Sequence, residues 1–160
     1  MDWSKEVSWK RKSKEKRKVY ARYLETVKPA ELIKRLPDLH EEAFSKINCL
    51  DCANCCKNHS PTFKTTDIKR ISKFLGLKES DFIEKYLNLD DDNDMVLKSS
   101  PCVFLNQDNT CQIYDVRPSD CARYPYTDED VFVKRRALTL TNSSVCPAVY
   151  HILEKVTAIL

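Results

Sequence analysis

The chain has 160 residues and a formal charge of +3, a size suited to one ordinary hydrophobic core. Its 42% apolar and 32% charged residues describe a globular chain rather than a disordered or membrane one. Eight cysteines stand against one glycine, where average usage would give about eleven glycines. A single glycine builds neither a Walker A loop nor a dinucleotide-binding fingerprint, so ATP, GTP and NAD chemistry of the usual kinds is disfavoured.

The first residues, Met1 to Glu6, include an acid and are followed by a basic run with no apolar stretch of signal-peptide length. No window approaches the apolar length of a membrane-spanning helix. A cytoplasmic protein is expected, and in a reducing compartment crowded cysteines are metal ligands or redox groups more often than disulfides. Eight Lys or Arg face only Asp2, Glu6 and Glu15 within residues 1–20, which leaves the rest of the chain slightly acidic. Lys10 to Lys18 reads KRKSKEKRK, good helix formers without an apolar position, which predicts a helix solvated all round. The pattern then turns amphipathic, with Tyr20, Tyr23, Leu24 and Val27 on one stripe. This basic helix, residues 1–28, is set apart from a cysteine-cluster domain over 29–160.

Pro29 is expected to open a short helix ending at Leu36, and Pro37 the next, with Leu39, Ala43, Phe44 and Ile47 on one face. Beyond the first cysteines, Thr66 reads as the N-cap of a helix over Asp67 to Leu75, closed by Gly76 in the left-handed C-terminal position. Ser80 caps a further helix through Leu87. The acidic run Asp90 to Asp94 resembles the start of a calcium loop, but Met95 takes the glycine position and Pro101 that of the last ligand, so a solvated loop is expected. Cys102–Leu105 and Thr110–Tyr114 predict a hairpin around Asn106 to Asn109. Pro118 starts a helical turn that carries Cys121 and stops before Pro125. Val131 to Thr141, rich in β-branched residues, predicts a strand, and Pro147 opens a last helix with Val149, Ile152, Leu153, Val156 and Leu160 on its stripe. The fold class is therefore α+β and mostly helical, with helices around a small β-hairpin and a cysteine-ligated metal site.

Cys49, Cys52, Cys55 and Cys56 form C-x2-C-x2-C-C, four thiols within eight residues. Asp51, Asn54, Lys57, Asn58 and His59 make the segment too polar for a core strand, so its thiols can converge on a metal. Zinc is usually held by two separate C-x2-C knuckles. The triple spacing instead matches the bacterial ferredoxin run, whose fourth ligand precedes a proline, as Cys146 precedes Pro147 here, although the spacing to that fourth cysteine differs. Cys146 at a helix N-cap is expected to have its pKa lowered by the helix dipole. Cys102, Cys111 and Cys121 complete the eight. They allow one or two sites, and sequence does not partition them. Lys57, Arg117 and Arg123 are candidate charge-compensating donors, and Phe104, Tyr114 and Tyr124 candidate shields around the centre.

C-x2-C-x2-C-C, then PCVFL at Pro101–Leu105, CQIYDVRPSDC at Cys111–Cys121, Tyr124-Pro125 and Cys146-Pro147, resemble the YkgJ-type (CxxCxxCC) cysteine cluster family of zinc- or iron-chelating proteins. The resemblance implies a small, mostly bacterial, intracellular metal-binding protein. The family often has arginine directly after the cysteine matching Cys121, whereas this chain has Ala122 and then Arg123.

The leading expectation is a protein holding an iron–sulfur cluster, [4Fe-4S], with zinc as the competing metal and with a redox or protein partner. A second is a protein-modifying enzyme, since flagellin lysine N-methylases carry a related cysteine cluster. The radical-SAM spacing is absent, however, with His59 where its third cysteine would stand. A third is a nucleic-acid-binding module using Lys10 to Lys18. No catalytic residue is assigned: His40, His59 and His151 read as surface histidines rather than as bases for a thiolate.

Overall fold

The structure is a computed structural model and describes residues 8–159; Met1 to Val7 of the expected basic segment and Leu160 of the expected last helical stripe lie outside these residues. In chain order the elements are α1 (Ser8–Glu15), α2 (Arg17–Thr26), α3 (Pro29–Ser45), α4 (Cys49–Cys52), α5 (Asn54–Asn58), α6 (Thr65–Leu75), α7 (Glu79–Tyr86), β1 (Leu87–Leu89) and β2 (Met95–Leu97). A 3-10 turn (Tyr114–Val116), α8 (Ser119–Arg123), α9 (Val131–Lys134), α10 (Arg136–Asn142) and α11 (Pro147–Thr157) follow. The fold is mostly helical α+β, as expected. No helix among the described residues is long and apolar enough to cross a membrane. Packing divides the chain into two compact units, residues 1–52 with 125–160, and residues 53–124.

The first unit is helical. Its core collects Tyr20 and Leu24 from α2, Leu32, Leu36, Leu39 and Ala43 from α3, Phe132 and Val133 from α9, and Val149, Ile152, Leu153 and Val156 from α11. The two helices expected on either side of Pro37 are one. Pro37 lies inside α3, exposed, while the apolar stripe Leu32, Leu36, Leu39, Ala43 runs unbroken past it. Burial of that stripe outweighs the hydrogen bond Pro37 cannot donate. The strand expected over Val131 to Thr141 is instead α9 and α10. Three successive charges, Lys134 to Arg136, rule out the alternation a half-buried strand needs, and Thr139 Oγ1 donates to the Phe132 carbonyl at 2.7 Å across the break between the helices.

The basic run is not solvated all round. It breaks at Lys16 between α1 and α2, Trp9 and Ser13 are buried, and Ser13 Oγ donates to Ser143 Oγ at 2.8 Å. Lys16 pairs with Glu154 at 2.8 Å, Tyr20 donates to the same carboxylate at 2.6 Å, and Arg17 donates to the Leu140 carbonyl. Short polar side chains and the ends of long ones let a sequence without apolar residues dock on the core.

In the second unit α6 and α7 pack together around Ile68, Ile71 and Phe82, joined by Phe63, Leu87, Leu97, Phe104 and Ile113. The Phe82 and Phe104 rings stack at 6.4 Å, and Tyr86 meets both. Helix α6 starts at Thr65 after Lys64, not after a Thr66 cap, because Asp67 accepts the Lys64 N–H at 2.9 Å. Gly76 ends it at φ 69°, in the expected left-handed position. The sheet is not where it was expected. β1 and β2 pair antiparallel with Leu87 opposite Leu97 and Leu89 opposite Met95, and the acidic run is their connection. Asp90 accepts the Asp92 and Asp94 N–H groups there, which closes the turn without a glycine. The Cys102–Tyr114 hairpin reduces to one bridge, Leu105 to Cys111, with the loop Asn106–Asn109 as expected and Asn109 at φ 67°.

Candidate metal centre

All eight cysteines are free thiols. Three belong to the first unit. Cys49 and Cys52 begin and end α4, and at a spacing of three residues they share one face. Asn48 holds this turn in place: its carbonyl accepts the Asp51 and Cys52 N–H groups, and its side chain accepts that of Leu50 at 3.1 Å. Cys146 is the N-cap residue of α11, followed by Pro147 in the first turn, and its N–H is held by the Asn142 carbonyl at 2.8 Å. The expected lowering of its thiol pKa is not found. Burial pushes it up to about 12, the N–H groups of Val149 and Ala148 at the sulfur offset only part of this, and the nearby Cys49 and Cys52 thiols add to the rise. Without a cation, desolvation exceeds the pull of one helix end.

Five cysteines belong to the second unit. Cys55 and Cys56 are adjacent on α5, entered through Ala53 in a left-handed conformation at φ 43°. A hydrogen bond with the Cys55 thiol and the charge of Lys57 bring Cys56 down to about 7, against its burial. Cys102 is tied to this helix by its N–H, which donates to the Cys56 carbonyl at 2.8 Å, and Ser100 Oγ donates to the Lys57 carbonyl beside it. From Cys102 the chain turns, with Leu105 N–H on the Cys102 carbonyl, and the Leu105–Cys111 bridge returns it. Burial raises the Cys102 and Cys111 thiols, opposed by N–H groups of Phe104 and Leu105 at the first sulfur and of Ile113 at the second.

Cys121 rides on α8. The residue as a whole is exposed, yet its sulfur lies among protein atoms and its pKa is strongly raised, by burial first and then by Cys56, Cys102, Asp120 and Cys111. Two residues that sequence reading had not singled out place this helix. The fully buried Asp67 accepts the Ser119 N–H at 3.1 Å and the Ser119 hydroxyl at 3.3 Å. Arg70 donates to Asp67 at 2.8 Å and to the Val116 and Arg117 carbonyls that lead into α8. Asp120 accepts the Thr62 N–H at 3.0 Å. The only sequence signal was Asp67 in a helical first turn, which resembles an ordinary cap.

The remaining candidates fall in different places. Lys57 and Arg117 act favourably on the Cys56 and Cys111 thiolates. Arg117 also lies over the Tyr114 ring at 4.1 Å, and Tyr114 itself is 59% exposed, which makes it a poor shield. Phe104 is core. Tyr124 stacks on His59 at 5.2 Å, and Arg123 is exposed on α8. His40 Nδ1 meets Thr127 Oγ1 at 2.8 Å. Burial lowers the pKa of His59 and of His151.

Among the described residues no three Cys, His, Asp or Glu side chains stand in closed metal-holding geometry. What the thiols do have is the donor chemistry of a thiolate ligand. Backbone N–H groups two and three residues downstream meet the sulfurs of Cys102 and Cys146, and one two residues downstream meets that of Cys111. Such donors favour a charged sulfur and restrain it once it is bound to a cation. An all-sulfur set also fits soft or borderline metals and not magnesium or calcium.

A mostly helical fold carrying eight free thiols on short turns and helix ends, six of them on half-buried residues, defines a cysteine-cluster protein. Residues 48–147 match the model of the CxxCxxCC family, described as a "putative zinc- or iron-chelating domain", and the chain belongs to that family. No solved structure matches it.

Proposed function

We propose that the chain is a metal-binding protein whose cysteines hold an iron–sulfur cluster, [4Fe-4S], with zinc as the competing occupant. The observation that carries metal binding is the set of backbone N–H groups directed at the sulfurs of Cys102, Cys111 and Cys146. The choice of cluster over zinc rests on the Cys49, Cys52, Cys55 spacing and on Cys146-Pro147. When bound, such a cluster supplies one-electron chemistry or a structural cross-link. The chain's own residues supply thiolates, N–H donors to them, and the charges of Lys57 and Arg117 against the accumulated negative charge.

Anaerobic purification followed by metal and acid-labile sulfide analysis, with an absorption spectrum, tests this reading. Brown protein with matching iron and sulfide is expected. A colourless protein with stoichiometric zinc would overturn the cluster and keep metal binding; protein without any metal would overturn both.

A further inference from the structure

We infer that Cys56, Cys102, Cys111 and Cys121 form one four-thiolate metal centre that takes all its protein ligands from residues 53–124, and that Cys49, Cys52 and Cys146 belong to another ligand set. This rests on the metal-binding reading and adds to it the partition of the sulfurs. The Cys102 N–H bond to the Cys56 carbonyl fixes two of the ligand-bearing segments against each other, and the Leu105–Cys111 bridge brings in the third. Asp67 and Arg70 set the fourth by holding Ser119 and the chain before it. Each of the six pairs among these four thiols is close enough for their charges to interact.

Cys55 is left outside for a geometric reason. The Cys55 and Cys56 thiols are hydrogen-bonded to each other, but their side chains leave α5 about 100° apart, and it is the Cys56 charge that acts on Cys102, Cys111 and Cys121, so Cys55 is assigned as the neighbour of the ligand Cys56. The other three sulfurs interact among themselves within the first unit: Cys146, capping α11, meets Cys49 and Cys52 of α4. Binding of a divalent cation by the four-thiolate set releases to solvent the protons its thiols still carry, at most four, and changes no oxidation state. The product carries two net negative charges, beside Lys57 and Arg117.

Cobalt(II), whose thiolate charge-transfer and ligand-field bands report the number of sulfurs, is titrated anaerobically into the reduced, metal-stripped full chain. The wild type is compared with Cys146→Ala, Cys121→Ala and Cys111→Ser. Cys146→Ala is expected to keep a four-thiolate spectrum at one cobalt per chain, and each of the other two variants to lose it. A four-thiolate spectrum lost in Cys146→Ala, or kept in Cys121→Ala, would overturn the partition while leaving metal binding in place. A wild type that takes up no cobalt would overturn both.

To separate ligand loss from misfolding of a variant, the wild-type protein as isolated is also alkylated at rising chelator concentration and mapped by mass spectrometry. Cys56, Cys102, Cys111 and Cys121 should lose protection together, at one chelator concentration. Release of these four at separate concentrations counts against a single centre.

Discussion

Asp67 has no solvent exposure and accepts hydrogen bonds from the Lys64 N–H, Arg70 and both the N–H and hydroxyl of Ser119. Burial alone would raise its pKa, but Arg70 and the two N–H groups outweigh it and hold the carboxyl below its ordinary value. A carboxylate with a depressed folded pKa contributes stability that is complete above its unfolded value, near 3.9, and is lost as the pH falls through the folded one. Asp67→Asn is therefore expected to cost about 2–3 kcal/mol at neutral pH, the worth of hydrogen bonds to a buried charge. In denaturant titrations from pH 7 to pH 3, its gap to wild type should begin to narrow at the acid end. The same substitution should speed alkylation of Cys121, since α8 loses its anchor. Gly76 makes the opposite case, a residue whose role was readable directly. At φ 69° an added Cβ meets nothing within 4 Å, so Gly76→Ala should cost only the left-handed strain, about 1–2 kcal/mol, with Gly76→Asn closer to wild type. A lone glycine after an amphipathic run has few other uses, whereas an aspartate in a first helical turn has many, and its distant partner Ser119 leaves no local mark.

Helix α3 shows how burial decides between local signals that conflict. Both Pro29 and Pro37 are good first-turn residues, and the chain uses only the first that way. The second is carried inside the helix because Leu32, Leu36, Leu39 and Ala43 all reach the core. Pro37→Ala restores a backbone donor on an exposed position and removes the ring from the preceding turn. Set against the larger unfolded-state entropy of alanine, a net gain of about 1–2 kcal/mol is expected, read from the shift in denaturation midpoint; a loss would show that the proline shapes α3 to its neighbours. The same competition explains the elements misread from sequence. Val131 to Thr141 has strand-forming residues, but Phe132 and Val133 are buried side by side, which a strand facing one core would not allow. β1 and β2 are only three residues each, too short for alternation to stand out, and their turn is closed by aspartate. The helix ends at Gly76, Cys146-Pro147 and Tyr124-Pro125 carry local chemistry and were legible for that reason.

At the scale of the whole chain, the two units differ in how much core each has to hold it. Among the described residues the first gathers seventeen buried core residues, including Trp9, Tyr20 and Phe132. The second gathers eight around Phe82, and it carries five of the eight thiols on short turns and helices such as α5 and α8, which no isolated peptide would keep. The cysteine order in the sequence marked the family, but the grouping proposed for the sulfurs was not legible, because the four of the inferred centre are spread from residue 56 to residue 121 and are positioned by contacts with no local mark: Cys102 on Cys56, Asp67 on Ser119 and the Leu105–Cys111 bridge. A unit with so thin a core should draw a larger share of its stability from bound metal, because ligand binding to the folded state is itself folding free energy. Treating the holoprotein with a chelator under reducing conditions is thus expected to lower the overall melting temperature and to act unevenly on amide hydrogen exchange. Protection should fall most in α5, the Cys102–Cys111 turn and α8, while the amides of α3 and α11, on the buried stripe of the larger core, keep most of theirs. Uniform loss of protection across both regions would mean that the metal stabilises the chain as a single cooperative body, and unchanged exchange would mean that the smaller core suffices without it.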